Sequence, residues 1–214
     1  MIADEQNLIR RGGMTLTAGG LLLAVATLLH PSQETPASIL ASEARLVGSH
    51  AVYIVAYLLI LLGLPVLWLD GLRRLGRLGS IGFLSAWLGT ALLAISSQFG
   101  FIAPSLAATA PATLDQVGMY PPVSVFNGFA GIAYMAGYVV LGVALAKSNA
   151  TPRWSGLLVG IGAPTHVIGF GVAQLAAPGL WFLAVLGAVA LGGGRSLVGS
   201  QMARGLQGSP ARAS

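Results

Sequence analysis

His50–Leu69 reads HAVYIVAYLLILLGLPVLWL, twenty residues without a charged side chain, and DGLRRLGRLG follows at once at 70–79. A helix of that length rises about 30 Å, the thickness of the hydrocarbon core of a bilayer. The arginines then mark where the chain re-enters water. This run and its basic sequel decide the fold class: a membrane-spanning helix that ends at a charged interface.

The rest of the chain repeats the pattern. Apolar windows run from Gly13 to Leu29, His50 to Leu69, Ser80 to Phe101, Phe126 to Ala146, Ser155 to Leu175 and Gly179 to Leu191. They are continuous and rich in Leu, Ala and Gly, without the alternation of a strand. The expected architecture is therefore all-α, a polytopic bundle of six spans forming one transmembrane domain over 1–214, with 196–214 as a flexible basic cytoplasmic tail. Composition agrees: 55% of residues are hydrophobic, 8% are charged and the mean hydropathy is +0.81. That leaves too little polar surface to coat a water-soluble globule.

The net charge of +5 has a topological use. With the N-terminus inside, Arg10, Arg11, Arg73, Arg74, Arg77, Lys147, Arg153, Arg195, Arg204 and Arg212 all fall on the cytoplasmic side. Arg45 alone faces out. A ten-to-one split follows the positive-inside rule, with both termini cytoplasmic and Arg73, Arg74, Arg77 and Arg153 as anchors. The cations serve topology, so nucleic acid is not an expected partner; the bilayer is.

The first window has a basic start and the small-residue pattern Ala24-Val25-Ala26, features shared with cleaved and twin-arginine leaders. Acidic Asp4 and Glu5 and the five later spans favour a retained helix. Gly20-xxx-Ala24 and Gly156-xxx-Gly160 have small-xxx-small spacing, and Gly128, Gly131, Gly137 and Gly142 run along the fourth span. Such faces serve packing within the chain, or, alternatively, a homodimer or contact with other membrane subunits. In the first outer loop Thr35 is placed to cap a short interfacial helix begun by Pro36 and ended by Gly48. A similar turn is expected at Thr113–Val117, followed by a Pro121-Pro122 stiffener.

The layout, together with TPRWSGLLVGIGA at 151–163, resembles a broad group of uncharacterised six-span bacterial membrane proteins. The shared features are an arginine-bearing start, a polar outer loop after the first span, and Pro-Arg-x-x-Gly-Leu-Leu leading into the fifth. The resemblance implies a multi-pass protein of the bacterial cytoplasmic (inner) membrane and assigns no catalytic residue.

Few residues are available for chemistry. There is no cysteine, so thiolate ligands and disulfides are excluded. Phosphate-cradling loops, His-Glu-x-x-His helices and nucleophile elbows are absent. His30 ends the first span and His50 begins the second, so both belong at the outer interface. Two imidazoles at one depth suit a b-type haem, or a divalent metal site with Glu34 or Glu43 as a further ligand. The plainer alternative is that both snorkel into head groups or cap helix ends.

His166 lies midway along the fifth span, where an ionisable group must face the protein interior. It is read as a hydrogen-bonded structural histidine or as part of a proton or solute path. Gln98 and Asn127 add polar groups toward the outer half, suited to an aqueous pocket or to bonds between helices. Trp68, Trp154 and Trp181 fall where interfacial anchors do. Intramembrane carboxylates, which ion-coupled carriers commonly use, are missing. The expected function is a non-enzymatic accessory or binding component of the membrane. A haem or metal protein using His30 and His50 and a transporter using His166 are the alternatives.

Overall fold

The computed structural model describes residues 3–148, 151–175 and 177–204, without the side chains of 3, 70–74, 115 and 175. The anchoring roles expected of the Arg73 and Arg74 side chains, and Arg212, therefore lie outside the described residues. The helices are α1 (Ala3–Leu29), α2 (Pro36–Ala41), α3 (Glu43–Ser96), α4 (Phe99–Thr109), α5 (Pro111–Val117), α6 (Pro121–Lys147), α7 (Arg153–Leu175) and α8 (Trp181–Arg204). There is no strand among the described residues.

Six stretches are long and apolar enough to cross a membrane: Asp4–Leu29, Glu43–Leu69, Leu75–Thr109, Pro121–Lys147, Arg153–Gln174 and Pro178–Arg204. The protein is a multi-pass helical membrane protein. Two of these are built on the arms of α3, which folds back on itself at Gly76; the second continues through α4. That residue has φ +60, a backbone angle that only glycine adopts without strain. The arms lie antiparallel: Trp68 stacks on Phe83 at 5.2 Å between ring centres, and the Trp87 indole donates to the Leu61 carbonyl.

The spans form a closed ring in which α1 packs between α8 and the first arm of α3, the second arm packs on α6, and α7 joins α6 to α8. Glycines hold the seams. A β-carbon on Gly137 would stand 2.1 Å from the Ala86 nitrogen, and one on Gly142 would stand 2.5 Å from the Gly156 carbonyl oxygen. Gly20 likewise abuts Gly192. The small-residue faces of Gly20, Gly156, Gly137 and Gly142 are thus occupied within the chain, whereas Gly128 meets nothing. Such close approach lets dispersion hold helices that lipid gives no hydrophobic reason to associate. Leu21, Leu28, Leu58, Leu62, Ile132 and Ile161 point outward, as side chains bathed in acyl chains do.

Three sequence expectations require correction. Gly48 does not end the short helix: α2 stops at Ala41, capped at its start by the Thr35 hydroxyl, and Gly48 lies inside α3. Pro121 and Pro122 open α6, where proline's missing donor costs nothing. The last span does not stop at Leu191: α8 runs to Arg204, so 196–204 are helix instead of tail, and Arg195 is 2% exposed inside the bundle. Its charge is accommodated by two tyrosines, Tyr134 and Tyr138.

At one end of the ring α2, α4 and α5 form a lid, with Ile39, Leu46, Ala103, Ala107 and Leu114 as its own small core. At the other end lie the chain start, the turn at Gly76 and the α6–α7 turn. Arg77 and Arg153 are exposed there.

Candidate metal centre

The lid covers the place where α1 ends and α3 begins. Pro31 lacks a backbone N–H, so α1 stops at Leu29, and the free carbonyls of its last turn need donors. Arg45 supplies them. Its Nε donates to the Leu29 carbonyl and its Nη2 donates to that of His30 at 3.2 Å. The single cation expected at this end is therefore a helix cap, favourably placed against the negative end of the helix dipole. It also fixes the backbone that carries His30.

His30 is fully buried and His50 is 9% exposed. Their Nε2 atoms are 3.1 Å apart, and Glu34 Oε1 lies 3.1 Å from His30 Nε2. One ligand atom from each of the three residues falls within 4.8 Å of the others. The far side of each ring is committed. His30 Nδ1 donates to the Pro31 carbonyl at 2.7 Å, and His50 Nδ1 donates to the Ser97 carbonyl at 2.8 Å. Ser97 is available because the helix breaks between α3 and α4, and the Phe101 N–H bonds to Gln98 instead.

A carbonyl oxygen carries no proton, so in both rings Nδ1 holds the hydrogen. In neutral imidazoles Nε2 is then a bare acceptor. Two lone pairs and a carboxylate oxygen converge on one point, an arrangement that repels itself unless a cation sits among them. That cation is either a proton, making one ring an imidazolium, or a metal ion. Nδ1–H bonded to a backbone carbonyl is also the outer-shell pattern that orients metal-ligating histidines.

The spacing discriminates between metal geometries. Two atoms bound at 2.0–2.1 Å to one tetrahedral ion are separated by about 3.3 Å, close to both 3.1 Å distances. Axial ligands on opposite faces of a haem would stand about 4 Å apart with the macrocycle between them. The histidines as placed fit one small ion and do not bracket a porphyrin.

Glu34 belongs to the loop outside the spans. Burial by itself raises the pKa of its carboxyl; the hydrogen bond to His30 and the charges of His30 and His50 outweigh that and hold it below the ordinary value. Its backbone N–H donates to Gln174 Oε1 at 2.9 Å, which ties the loop to α7. The ring of His30 is walled by Trp181, stacked at 5.5 Å, by Phe170 at 5.1 Å and by Tyr53 at 5.9 Å. Gly100 makes room for His50: a β-carbon there would lie 2.1 Å from the imidazole Cγ. Gly100 and Gln174 carry no motif that marks them in the sequence. Trp181, expected as an interfacial anchor, is a wall of this site, while Trp154 is 72% exposed.

The remaining candidates lie elsewhere. Glu43 is exposed at the start of α3 and is not part of the cluster. Gln98 and Asn127 are exposed; Asn127 accepts from the Ser96 hydroxyl at 2.9 Å and so links α6 to α3 on the bundle surface. His166 is buried in the α7–α8 seam, where its Nδ1 donates to the Ala184 carbonyl at 3.0 Å. No family model matches this chain, and no curated protein or solved structure matches it either.

Proposed function

We propose that the chain is a metal-holding component of the bacterial cytoplasmic membrane, binding one divalent transition-metal ion through His30 Nε2, His50 Nε2 and Glu34 Oε1. One observation carries the reading: His50 Nε2 and Glu34 Oε1 each stand 3.1 Å from His30 Nε2, all three residues offer a ligand atom within 4.8 Å of the others, and both Nδ1–H groups are already used. Two imidazoles and a carboxylate suit Zn²⁺ or Cu²⁺, and a lone set of three leaves a coordination position for water or an exchanging ligand. That favours a binding or delivery role over a purely structural one.

The orientation that goes with this reading puts the metal on the outer face and both termini in the cytoplasm. Among the described residues Arg45 is the one cation at the lidded end, whereas Arg10, Arg11, Arg77, Lys147, Arg153 and Arg204 lie toward the other. The resemblance to six-span bacterial proteins supports the same membrane.

Protein purified in mild detergent, stripped with chelator and dialysed against Zn²⁺ or Cu²⁺ should retain one ion per chain by elemental analysis. His30→Ala and His50→Ala should each abolish that retention. A wild-type protein that keeps no stoichiometric metal, or variants that keep as much as wild type, would sink the proposal. A Soret band in the purified protein would favour haem instead.

A further inference from the structure

We infer that the groove between α6 and α7, at the end of the ring opposite the lid, binds one anionic phospholipid. Lys147 is the last residue of α6 and Arg153 the first of α7, and both line a groove of about 480 Å³. Its floor is backbone. A β-carbon on Gly142 would stand 2.5 Å from the Gly156 carbonyl oxygen and 2.6 Å from the Gly160 nitrogen, so the two helices touch there and no side chain of these three residues fills the valley between them. Val143 and Ile161 also line the groove and are exposed, which opens it to the acyl chains around the bundle. Lys147 and Arg153 are exposed as well, and no carboxylate pairs with either among the described residues.

Shape and charge together name the occupant. The lining runs from Val139 to Lys147 on α6 and from Arg153 to Ile161 on α7, about 12 Å along each helix. One leaflet contributes about 15 Å of hydrocarbon, so a groove that begins at two cations on the interface reaches most of the way to the midplane. Trp154, 72% exposed beside Arg153, marks the head-group level. A phosphodiester at Lys147 and Arg153, with an acyl chain below it along Val143 and Ile161, satisfies both ends of the groove; basic pockets between spans take anionic head groups in this way. Free phosphate would leave the apolar length unused. A second copy of the chain docked symmetrically on this face would bring the two cations against their own counterparts, which repel.

Native mass spectrometry of chelator-treated protein in mild detergent, at constant ionic strength, should show one phosphatidylglycerol retained per chain in preference to phosphatidylcholine with the same acyl chains. Glycerol 3-phosphate, which has the charge without the chains, should not be retained. Lys147→Gln and Arg153→Gln should each weaken retention about fivefold, the share of one basic side chain near an anionic surface. Arg77→Gln, exposed at the same end but outside the groove, should leave it unchanged. Phosphatidylglycerol with a photoreactive acyl chain should cross-link to the segments around Val143 and Ile161, a readout that stands even if a variant does not fold. Equal retention of the neutral lipid, a Lys147→Gln/Arg153→Gln protein that binds as wild type, cross-links confined to other spans, or a dimer through this face that sheds lipid would each overturn the site. Because metal is removed throughout, the outcome is independent of His30 and His50.

Discussion

Gly100 on α4 lies directly against the His50 imidazole, so closely that a β-carbon would stand 2.1 Å from Cγ and 2.3 Å from Cδ2. The ring has nowhere to retreat, because its Nδ1 is bonded to Ser97 and its Nε2 faces His30. Gly100→Ala should therefore displace the imidazole without touching a ligand atom. Metal affinity should fall about 10–100-fold, the range seen when a ligand's supporting shell is altered. Titration calorimetry of the stripped protein would show it; unchanged affinity would mean that His50 is not held where the ligand spacing requires.

Metal should also stabilise the fold. His30 follows α1, Glu34 precedes α2 and His50 lies in α3, so one ion would pin three segments at the lidded end. At free metal 100 times the dissociation constant, the folded state should gain about 2.7 kcal/mol. Thermal melts in detergent should rise with Zn²⁺ or Cu²⁺ and return on adding chelator. Glu34→Gln removes the charge that balances the ion and should reduce the rise; because the lowered carboxyl pKa is itself a stabilising contribution at neutral pH, the metal-free melt should fall as well.

Arg45 acts on the same site through the backbone. Its removal frees the carbonyls of Leu29 and His30 and should cost about 1 kcal/mol, the scale of a charge at a helix terminus. Arg45→Ala should accordingly lower Tm slightly and weaken metal binding less than Gly100→Ala does. A loss of affinity as large as that of His30→Ala would show that Arg45 does more than cap α1.

The helix seams give a test of packing with an internal control. A β-carbon on Gly187 would lie 2.1 Å from the backbone nitrogen of His166, whereas Gly193 and Gly171 have open space around them. Backbone cannot yield as a side-chain tip can. Gly187→Ala should destabilise by about 1–3 kcal/mol or more, as overpacking does, while Gly193→Ala and Gly171→Ala should be tolerated. Melts that rank the three in any other order would contradict the ring of spans.

How much of this was legible in the sequence depends on which force set each feature. The six spans were readable because bilayer thickness imposes length and apolarity on every crossing segment, as in His50–Leu69. The meeting of His30 and His50 was approachable because both end spans at one interface. Arg195 was misplaced because charge counting treats an arginine after Leu191 as interfacial; only closure of the ring, which turns α6 and α8 toward a shared interior, brings Tyr134 and Tyr138 to it. Gly100 was hidden among 30 glycines. Its role comes from the break after Ser97, which leaves no local pattern.

Orientation can be read directly, because a chain without cysteine accepts single reporters. Ser38 lies in α2 at the lidded end, and Arg77 and Arg153 are exposed at the opposite end. With arginine-rich ends held in the cytoplasm, a membrane-impermeant maleimide added to intact bacterial cells should label Ser38→Cys. Arg77→Cys and Arg153→Cys should react only after the inner membrane is opened. The reverse pattern would place the histidine cluster in the cytosol, where it would meet a tightly buffered metal pool, and the proposed outward-facing metal role would fail even if the ion itself binds.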